Sequence, residues 1–231
     1  MIQFHNVKKQ FKNGTVALED INLTIHDGEF VYIVGMSGAG KSTLIKLLLK
    51  EYDVSAGHIT VDGLRLDQIP GRKIPAYRRN IGFVFQNFRL LSDRTAYENV
   101  AFACECMGLS SREVRRKSRE ALQFVGLRDR MRHRPDELSA GEQQRVSIAR
   151  AVINNPRIVI CDEPTGNLDH QTAAGIMQLM ENIHQTGATV IMATHDRHLL
   201  DNHIHRVVSL ADGHIVGDTR PTTRGLRNEV D

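Results

Sequence analysis

Apolar residues along this 231-residue chain fall into two kinds of run. Near the N-terminus they alternate with polar ones: Ile2, Phe4 and Val7, then Ile21, Leu23 and Ile25, with an Asn13-Gly14 turn signal between them. Alternation of this kind marks strands with one wet face, so residues 1–25 read as antiparallel β structure. Further on the apolar residues are contiguous, in Phe30-Val31-Tyr32-Ile33-Val34, Ile81-Gly82-Phe83-Val84-Phe85, Ile158-Val159-Ile160-Cys161 and Ala188-Thr189-Val190-Ile191-Met192-Ala193. Short unbroken runs bounded by polar residues read as buried strands. Gly57 to Gly63 predicts a short strand ending in an Asp-Gly turn, and Val207–Leu210 with His214–Val216 predicts a final hairpin across Asp212-Gly213.

Between the strands the period changes to that of helices. Leu44 to Leu48 opens one. Val114, Ser118, Ala121, Leu122 and Val125 define another, with Gly126 as its C-terminal cap. Val146, Ile148, Ala149, Val152 and Ile153 continue a third, buried one, and Ala173, Ile176, Met177, Met180 and Ile183 a fourth that Gly187 ends. Met177 and Met180 are read as core filling. Residues 87–153 thus form a mostly helical insert between sheet strands. Leu64 to Arg79 is polar and irregular, with Pro70 and Pro75 breaking any helix. The domain is expected to span residues 1–217, followed by a polar, Arg-rich, mobile tail over 218–231.

Composition narrows the class. Apolar residues at 41% and charged residues at 25% are those of a soluble globular protein. A net charge of +3 and 5% aromatics argue against a nucleic-acid surface. The Arg/Lys run at residues 112–119 therefore reads as a solvated helix face. Cys104, Cys106 and Cys161 give no disulfide framework and suit a reducing compartment; Cys104-x-Cys106 lacks the second pair a zinc site needs. No stretch approaches the ~18 apolar residues of a membrane span, and the N-terminus is not a signal peptide. A cytosolic protein that reaches a membrane only through a partner is expected.

The chemistry centres on Gly35-Met36-Ser37-Gly38-Ala39-Gly40-Lys41-Ser42, followed by Thr43. Strand, Gly-rich loop and helix is the context in which G-x-x-x-x-G-K-[ST] binds phosphate. Glycines let backbone N–H groups turn inward on an anion, and the helix N-terminus adds its dipole. Lys41 supplies a charge for the β- and γ-phosphates, and the Ser42 hydroxyl suits Mg²⁺. Asp162 and Glu163 end a buried strand; two carboxylates downstream of a phosphate loop suit Mg²⁺ coordination through water and activation of an attacking water. Gln86 at another strand end is either a satisfied amide or a ligand for Mg²⁺. Ser139 with Glu142 makes a capping box, which is either a plain helix start or a second anion-binding N-terminus. Phe11 is either core or an aromatic face for an adenine base. His195, with Asp196, sits at a strand end; His198, His203 and His205 follow without a Cys or carboxylate pattern that would make a metal motif.

The order of these features, with Leu138-Ser139-Ala140-Gly141-Glu142-Gln143 before Ile160-Cys161-Asp162-Glu163, resembles an ABC-type ATPase nucleotide-binding domain over essentially the whole chain. The resemblance implies an α/β fold: a P-loop NTPase (RecA-like) core with an antiparallel β subdomain and an inserted helical subdomain. It implies that Phe11 stacks on adenine, that Gly35 to Thr43 wraps the phosphates, and that Ser42 and Gln86 ligate Mg²⁺ with Asp162 holding it through water. Glu163 would be the general base and His195 would contact the γ-phosphate. Ser139 and Gly141, beside Glu142, would bind the γ-phosphate held by a second subunit, making a head-to-tail homodimer with two ATP at its interface. Asp169 would link the two sites. The family usually has Gly where this chain has Ala140, and the contact is expected to survive that change.

Asp162-Glu163-Pro164-Thr165-Gly166-Asn167-Leu168-Asp169 resembles a subgroup serving mechanically coupled membrane proteins, including lipoprotein release and macrolide or peptide export. Asp93-Arg94-Thr95, an aromatic at Tyr97 and Asn99-Val100 resemble the FtsE family of cell-division ATPases. That family pairs with the membrane protein FtsX, which controls peptidoglycan hydrolases outside the cell. The resemblance thus implies a place on the cytoplasmic side of the membrane, held by the partner.

Overall fold

The computed structural model describes residues 1–195 and 205–220. The N-terminal alternation folds as β1 (Ile2–Gln10) against β2 (Val16–Ile25), antiparallel, with Ile2 opposite Ile25 and Phe4 opposite Leu23. β3 (Phe30–Val34) runs directly into the phosphate-loop sequence and α1 (Lys41–Leu48). β4 (Ala56–Val61) returns to the free side of β1, and the Asp62-Gly63 turn folds a two-residue β5 (Leu64–Arg65) back onto it. The resulting four-stranded sheet, β2-β1-β4-β5, buries Ile2, Phe4, Val7, Leu23 and Ile59 on its inner face.

The remaining elements follow in order. They are α2 (Ile74–Arg78), β6 (Ile81–Val84), α3 (Ala96–Glu105), α4 (Ser111–Phe124), α5 (Ala140–Val152), β7 (Ile158–Asp162), α6 (His170–Gln185), β8 (Thr189–Thr194), β9 (Arg206–Ala211) and β10 (His214–Thr219). The second sheet has the order β10-β9-β3-β8-β7-β6, parallel except for β10. Its contiguous apolar runs arise because both faces are covered. Val31 and Ile33 of β3 pack with α1 and the small sheet, while Phe30, Tyr32 and Val34 pack on the opposite side with α5 and α6. Register sets the strand ends level: Val34 faces Thr194, Asp162 faces Ala193 and Val84 faces Cys161. The loops after β3, β6, β7 and β8 therefore open along one edge, where parallel α/β sheets carry their ligands.

Two expectations need correction. Pro75 does not break a helix; it lies in the first turn of α2, where no intrahelical N–H bond is lost. The chain also remains ordered beyond residue 217, since Asp218 and Thr219 belong to β10. Arg206, 4% exposed, explains why. Its Nε and Nη2 donate to the two Asp218 oxygens at 2.7 Å each, and its Nη1 donates to the Thr24 carbonyl at 2.7 Å and to Glu29 at 3.1 Å. A buried guanidinium needs such partners, and it ties the last strand to the first sheet. Residues 221–231, and with them most of the expected tail, lie outside the described residues, as do Asp196, His198 and His203.

Candidate nucleotide-binding and hydrolytic site

The phosphate loop is confined by strands on either side. Gly40 has φ of 107°, and a Cβ there would come within 2.7 Å of the Ala17 carbonyl oxygen in β2. A Cβ on Gly35 would lie 2.4 Å from the Leu210 carbonyl oxygen in β9. Only glycine fits either place. Lys41 opens α1 and is buried; its ammonium donates to the carbonyls of Gly35 at 2.7 Å and Met36 at 3.2 Å. It also lies 3.8 Å from Glu163 Oε1. The next residue, Ser42, donates its hydroxyl to Asp162 Oδ1 at 3.4 Å.

Glu163 is the hub of the site. It follows β7 directly with φ of 50°, and its N–H bonds to the Ala193 carbonyl at 2.9 Å. A left-handed conformation at a non-glycine residue is strained by about 1–3 kcal/mol, and such strain concentrates at functional positions. The side chain is surrounded: His195 Nδ1 is 3.0 Å from Oε1, on the Lys41 side, and Gln86 Nε2 donates to Oε2 at 3.3 Å. Three groups, reached through the loops after β3, β6 and β8, converge on this carboxylate at the end of β7. Asp162, one residue earlier, has its carboxyl pushed above the usual range, first by burial and then by the charge of Glu163, against the pull of Ser42 and Lys41.

Ser139 caps α5 in a complete capping box: Glu142 N–H bonds to its hydroxyl at 3.3 Å, and Ser139 N–H bonds to Glu142 Oε2 at 2.9 Å. Arg130 Nε donates to Glu142 Oε1 at 3.1 Å; the backbone bond from Ser139 first, with the charge of Arg130 behind it, holds the Glu142 carboxyl below its usual range. Ala140 is the first residue of α5 and has no positive φ, so alanine takes this position without strain. Gly141 abuts α6, where a Cβ would meet Thr172 Cγ2 at 2.4 Å. Asp169 caps that helix, accepting from Thr172 N at 3.0 Å and Thr172 Oγ1 at 2.6 Å. Among the described residues, no hydrogen bond or ion pair joins Ser139, Gly141 or Glu142 to the group around Glu163. The structure therefore brings together Lys41, Ser42, Gln86, Asp162, Glu163 and His195, and places Ser139, Gly141, Glu142 and Asp169 in a second, separate cluster. Phe11, half-buried just after β1, packs edge-on against Tyr52 with centroids 5.4 Å apart, and Lys9 Nζ lies 5.3 Å from its ring centroid.

Three residues have supporting roles that the sequence did not reveal. Asn167 donates to Asn87 Oδ1 at 3.2 Å and to the Gln86 carbonyl at 3.5 Å, tying the loop after β7 to the loop after β6. Arg150 of α5 donates to the carbonyls of Phe88 at 2.8 Å and Arg89 at 2.7 Å, two consecutive residues with φ of 50° and 47°. Asn99, fully buried, holds the next turn through Leu91, Arg94 and Thr95. A polar residue interrupting an apolar helix face is the signal that marks Arg150 in advance, while Asn99 stands in a stretch already noted for its family resemblance.

The donors at Ser42, Asp162 and Gln86 are oxygen-bearing groups of the hard kind that Mg²⁺ takes, and a buried carboxylate beside a second one favours a cation. Replacing Asp162 by Asn removes a charge that the free protein disfavours. Because burial raises its folded-state pKa, ionisation of Asp162 costs stability as pH rises from its ordinary value through the raised one. Asp162→Asn is expected to be more stable than wild type at neutral pH, with a higher melting temperature. The difference should vanish below the ordinary carboxyl range, while Mg²⁺-dependent ATP binding weakens. Scanning calorimetry in chelator at two pH values checks this, and a less stable variant at pH 7 contradicts it.

Residues 18–166, more than half of the chain, match the family described as ABC transporter. The chain belongs to that family: it is an ATP-binding, ATP-hydrolysing cassette. Solved relatives share the fold, among them a post-hydrolysis dimer of the ATP-binding cassette MJ0796 bound to ADP and Pi, at 36% identity and a TM-score of 0.87 over 96% of this chain and 99% of that one. CbiO1 from Clostridium perfringens, part of the ABC transporter complex cbiONQ, matches at 31% identity and a TM-score of 0.89 over 95% and 88%. Within the family the sequence groups with FtsE cell division ATP-binding proteins. That of Bacillus subtilis is 48% identical over 218 residues, covering 94% of this chain and 96% of that protein. That of Mycobacterium tuberculosis is 47% identical over 227 residues, covering 98% and 99%.

Proposed function

We propose that two copies of this chain close head to tail on two MgATP and pass that closure to an FtsX-like integral membrane protein, which controls peptidoglycan hydrolases during division. The observation that carries the hydrolytic part is the convergence of Lys41, Gln86 and His195 on Glu163. Gly35 to Thr43 wraps the phosphates, with Met36, Ser37, Gly38, Ala39 and Gly40 contributing backbone N–H groups and Lys41 swinging from the Gly35 and Met36 carbonyls to the β- and γ-phosphates. Mg²⁺ would be held by Ser42 and Gln86, with Asp162 through water, and would neutralise charge on the β- and γ-oxygens. Glu163 accepts the proton of the attacking water, and His195 holds the γ-phosphate beside it. Phe11, backed by Tyr52, offers its face to adenine.

The separate cluster supports the dimer. A capped helix N-terminus at Ser139 and Gly141 suits an anion supplied by another subunit. Thr172 touches Gly141 and is held by Asp169, so Asp169 is placed to sense that contact. No helix among the described residues is long and apolar enough to cross a membrane, so membrane attachment on the cytoplasmic side is assigned to the partner.

The loop after Gln86 supplies the docking surface. Leu90 packs onto the core, but Phe88 and Leu91 are half-buried and belong to neither core cluster. Co-purification in detergent with the FtsX-like protein of the same cell tests the function. The wild-type chain should be retained by it, and a Phe88→Ala, Leu91→Ala double variant should be lost while its ATPase rate in solution persists. Failure of the wild type to bind overturns the cell-division assignment, and full retention of the double variant overturns the assignment of the surface.

A further inference from the structure

Far from the nucleotide site, at the amino-terminal ends of the central strands, two histidines and a glutamate come together. Glu181 and His184 lie in the last turns of α6, and His205 immediately precedes β9. One ligand atom from each falls within 4.8 Å of the others. The length of β3, about 16 Å, separates them from the phosphate loop. The sequence concealed this group because its carboxylate and its second imidazole come from a helix more than twenty residues upstream of His205.

The geometry of His184 is informative. Its Nε2 is 2.8 Å from the Gly28 carbonyl oxygen. A carbonyl only accepts, so Nε2 carries a proton, and in the neutral ring Nδ1 is the nitrogen left to ligate a metal. Nδ1 lies 4.0 Å from Glu181 Oε2, too far for a hydrogen bond and wide enough for a cation to be held between the two atoms. An imidazole whose second nitrogen is anchored to a backbone carbonyl is the usual second-shell arrangement of a metal-bound histidine. His205 completes the set. Its Nε2 lies 2.6 Å from Glu181 Oε1, and its ring is fixed by stacking on Phe30 at 4.4 Å and 7°. His184 stands edge-on to it at 5.3 Å and 86°. The side chains of Glu181, His184 and His205 are 18%, 23% and 19% exposed, partly dehydrated yet reachable from solvent.

We propose that Glu181, His184 and His205 bind a divalent transition-metal ion of the zinc class, with water completing the coordination. Two imidazoles and a carboxylate are borderline ligands that suit Zn²⁺, Co²⁺ or Ni²⁺, whereas Mg²⁺ prefers an all-oxygen set. The ion fastens the carboxyl end of α6 to the start of β9. Nucleotide plays no part in the site, so the proposal stands apart from the ATPase reading.

The test uses the full, untagged, chelator-stripped chain without nucleotide, titrated with Zn²⁺ alone. Expected are one tight equivalent that a hundredfold excess of Mg²⁺ does not displace, and a melting temperature several degrees higher at saturation. Co²⁺ in place of Zn²⁺ should give the visible absorption of a four-coordinate ion. His184→Gln and Glu181→Gln, which keep hydrogen-bonding capacity and leave the ATPase machinery untouched, should each abolish the tight equivalent and the cobalt spectrum. The absence of a tight equivalent in wild type overturns the proposal. So does a tight equivalent and spectrum unchanged in both variants, which would place the metal on histidines elsewhere.

Discussion

Glu163→Gln is expected to slow ATP hydrolysis by about 10²–10⁴-fold while leaving MgATP bound. The amide nearly matches the carboxylate in shape, so the left-handed turn after β7, the Ala193 bond and the neighbouring Asp162 all persist. What goes is the oxygen proposed to take a proton from the attacking water, together with the charge that faces Lys41 at 3.8 Å and His195 at 3.0 Å. With ATP uncleaved, Ser139 and Gly141 of the second subunit keep their anion, and the variant should accumulate as a dimer. Light scattering with MgATP beside a phosphate-release assay reads both effects, with His195→Ala run in parallel. Hydrolysis near the wild-type rate in the Glu163 variant removes it as the base. An inactive variant that stays monomeric with ATP bound keeps the base but removes ATP-driven closure.

Lys41→Ala is expected to lower ATP affinity by about 100-fold, equivalent to roughly 3 kcal/mol, because a half-enclosed triphosphate loses its principal counter-charge. In the free protein the ammonium spans the carbonyls of Gly35 and Met36 and leans toward Glu163, so its charge is already held against the loop before nucleotide arrives. The variant leaves two loop carbonyls to be met by water, a small cost beside the loss of the phosphate contact. Calorimetric titration decides: unchanged binding contradicts the assignment of the loop, whatever the ATPase rate.

The parts of this molecule that were legible in its sequence are those whose physics is local. Contiguous apolar runs gave the buried strands, because a strand covered on both faces has no polar position to show. The Gly-rich loop, the Ser139 capping box and the Asp162-Glu163 strand end were readable because their residues are sequence neighbours. Strand order was not readable, nor was the way Gln86, His195 and Lys41 meet Glu163, since those separations are set by sheet register. Nothing in the sequence sets Arg206 apart; only the return of Asp218 beside it shows a buried ion cluster and carries the fold past the expected tail boundary. Pro75 misled because a proline early in a helix obeys a different rule from one in its middle. The Glu181, His184 and His205 group, assembled from α6 and the start of β9, had no spacing to betray it.

Helix α5 has 13 residues and is about 20 Å long, and both of its ends are engaged. At one end lie Ser139 and Gly141, the pair proposed to meet a second subunit's nucleotide; near the other Arg150 grips the carbonyls of Phe88 and Arg89. A helix packed into the core is stiff along its axis, so it behaves as a connecting rod rather than a spring. A displacement at its first turn would be carried along it toward two residues already held in left-handed backbone. On the proposed mechanism, closure at one end of the helix would thereby reach a surface loop at the other without any unfolding between them.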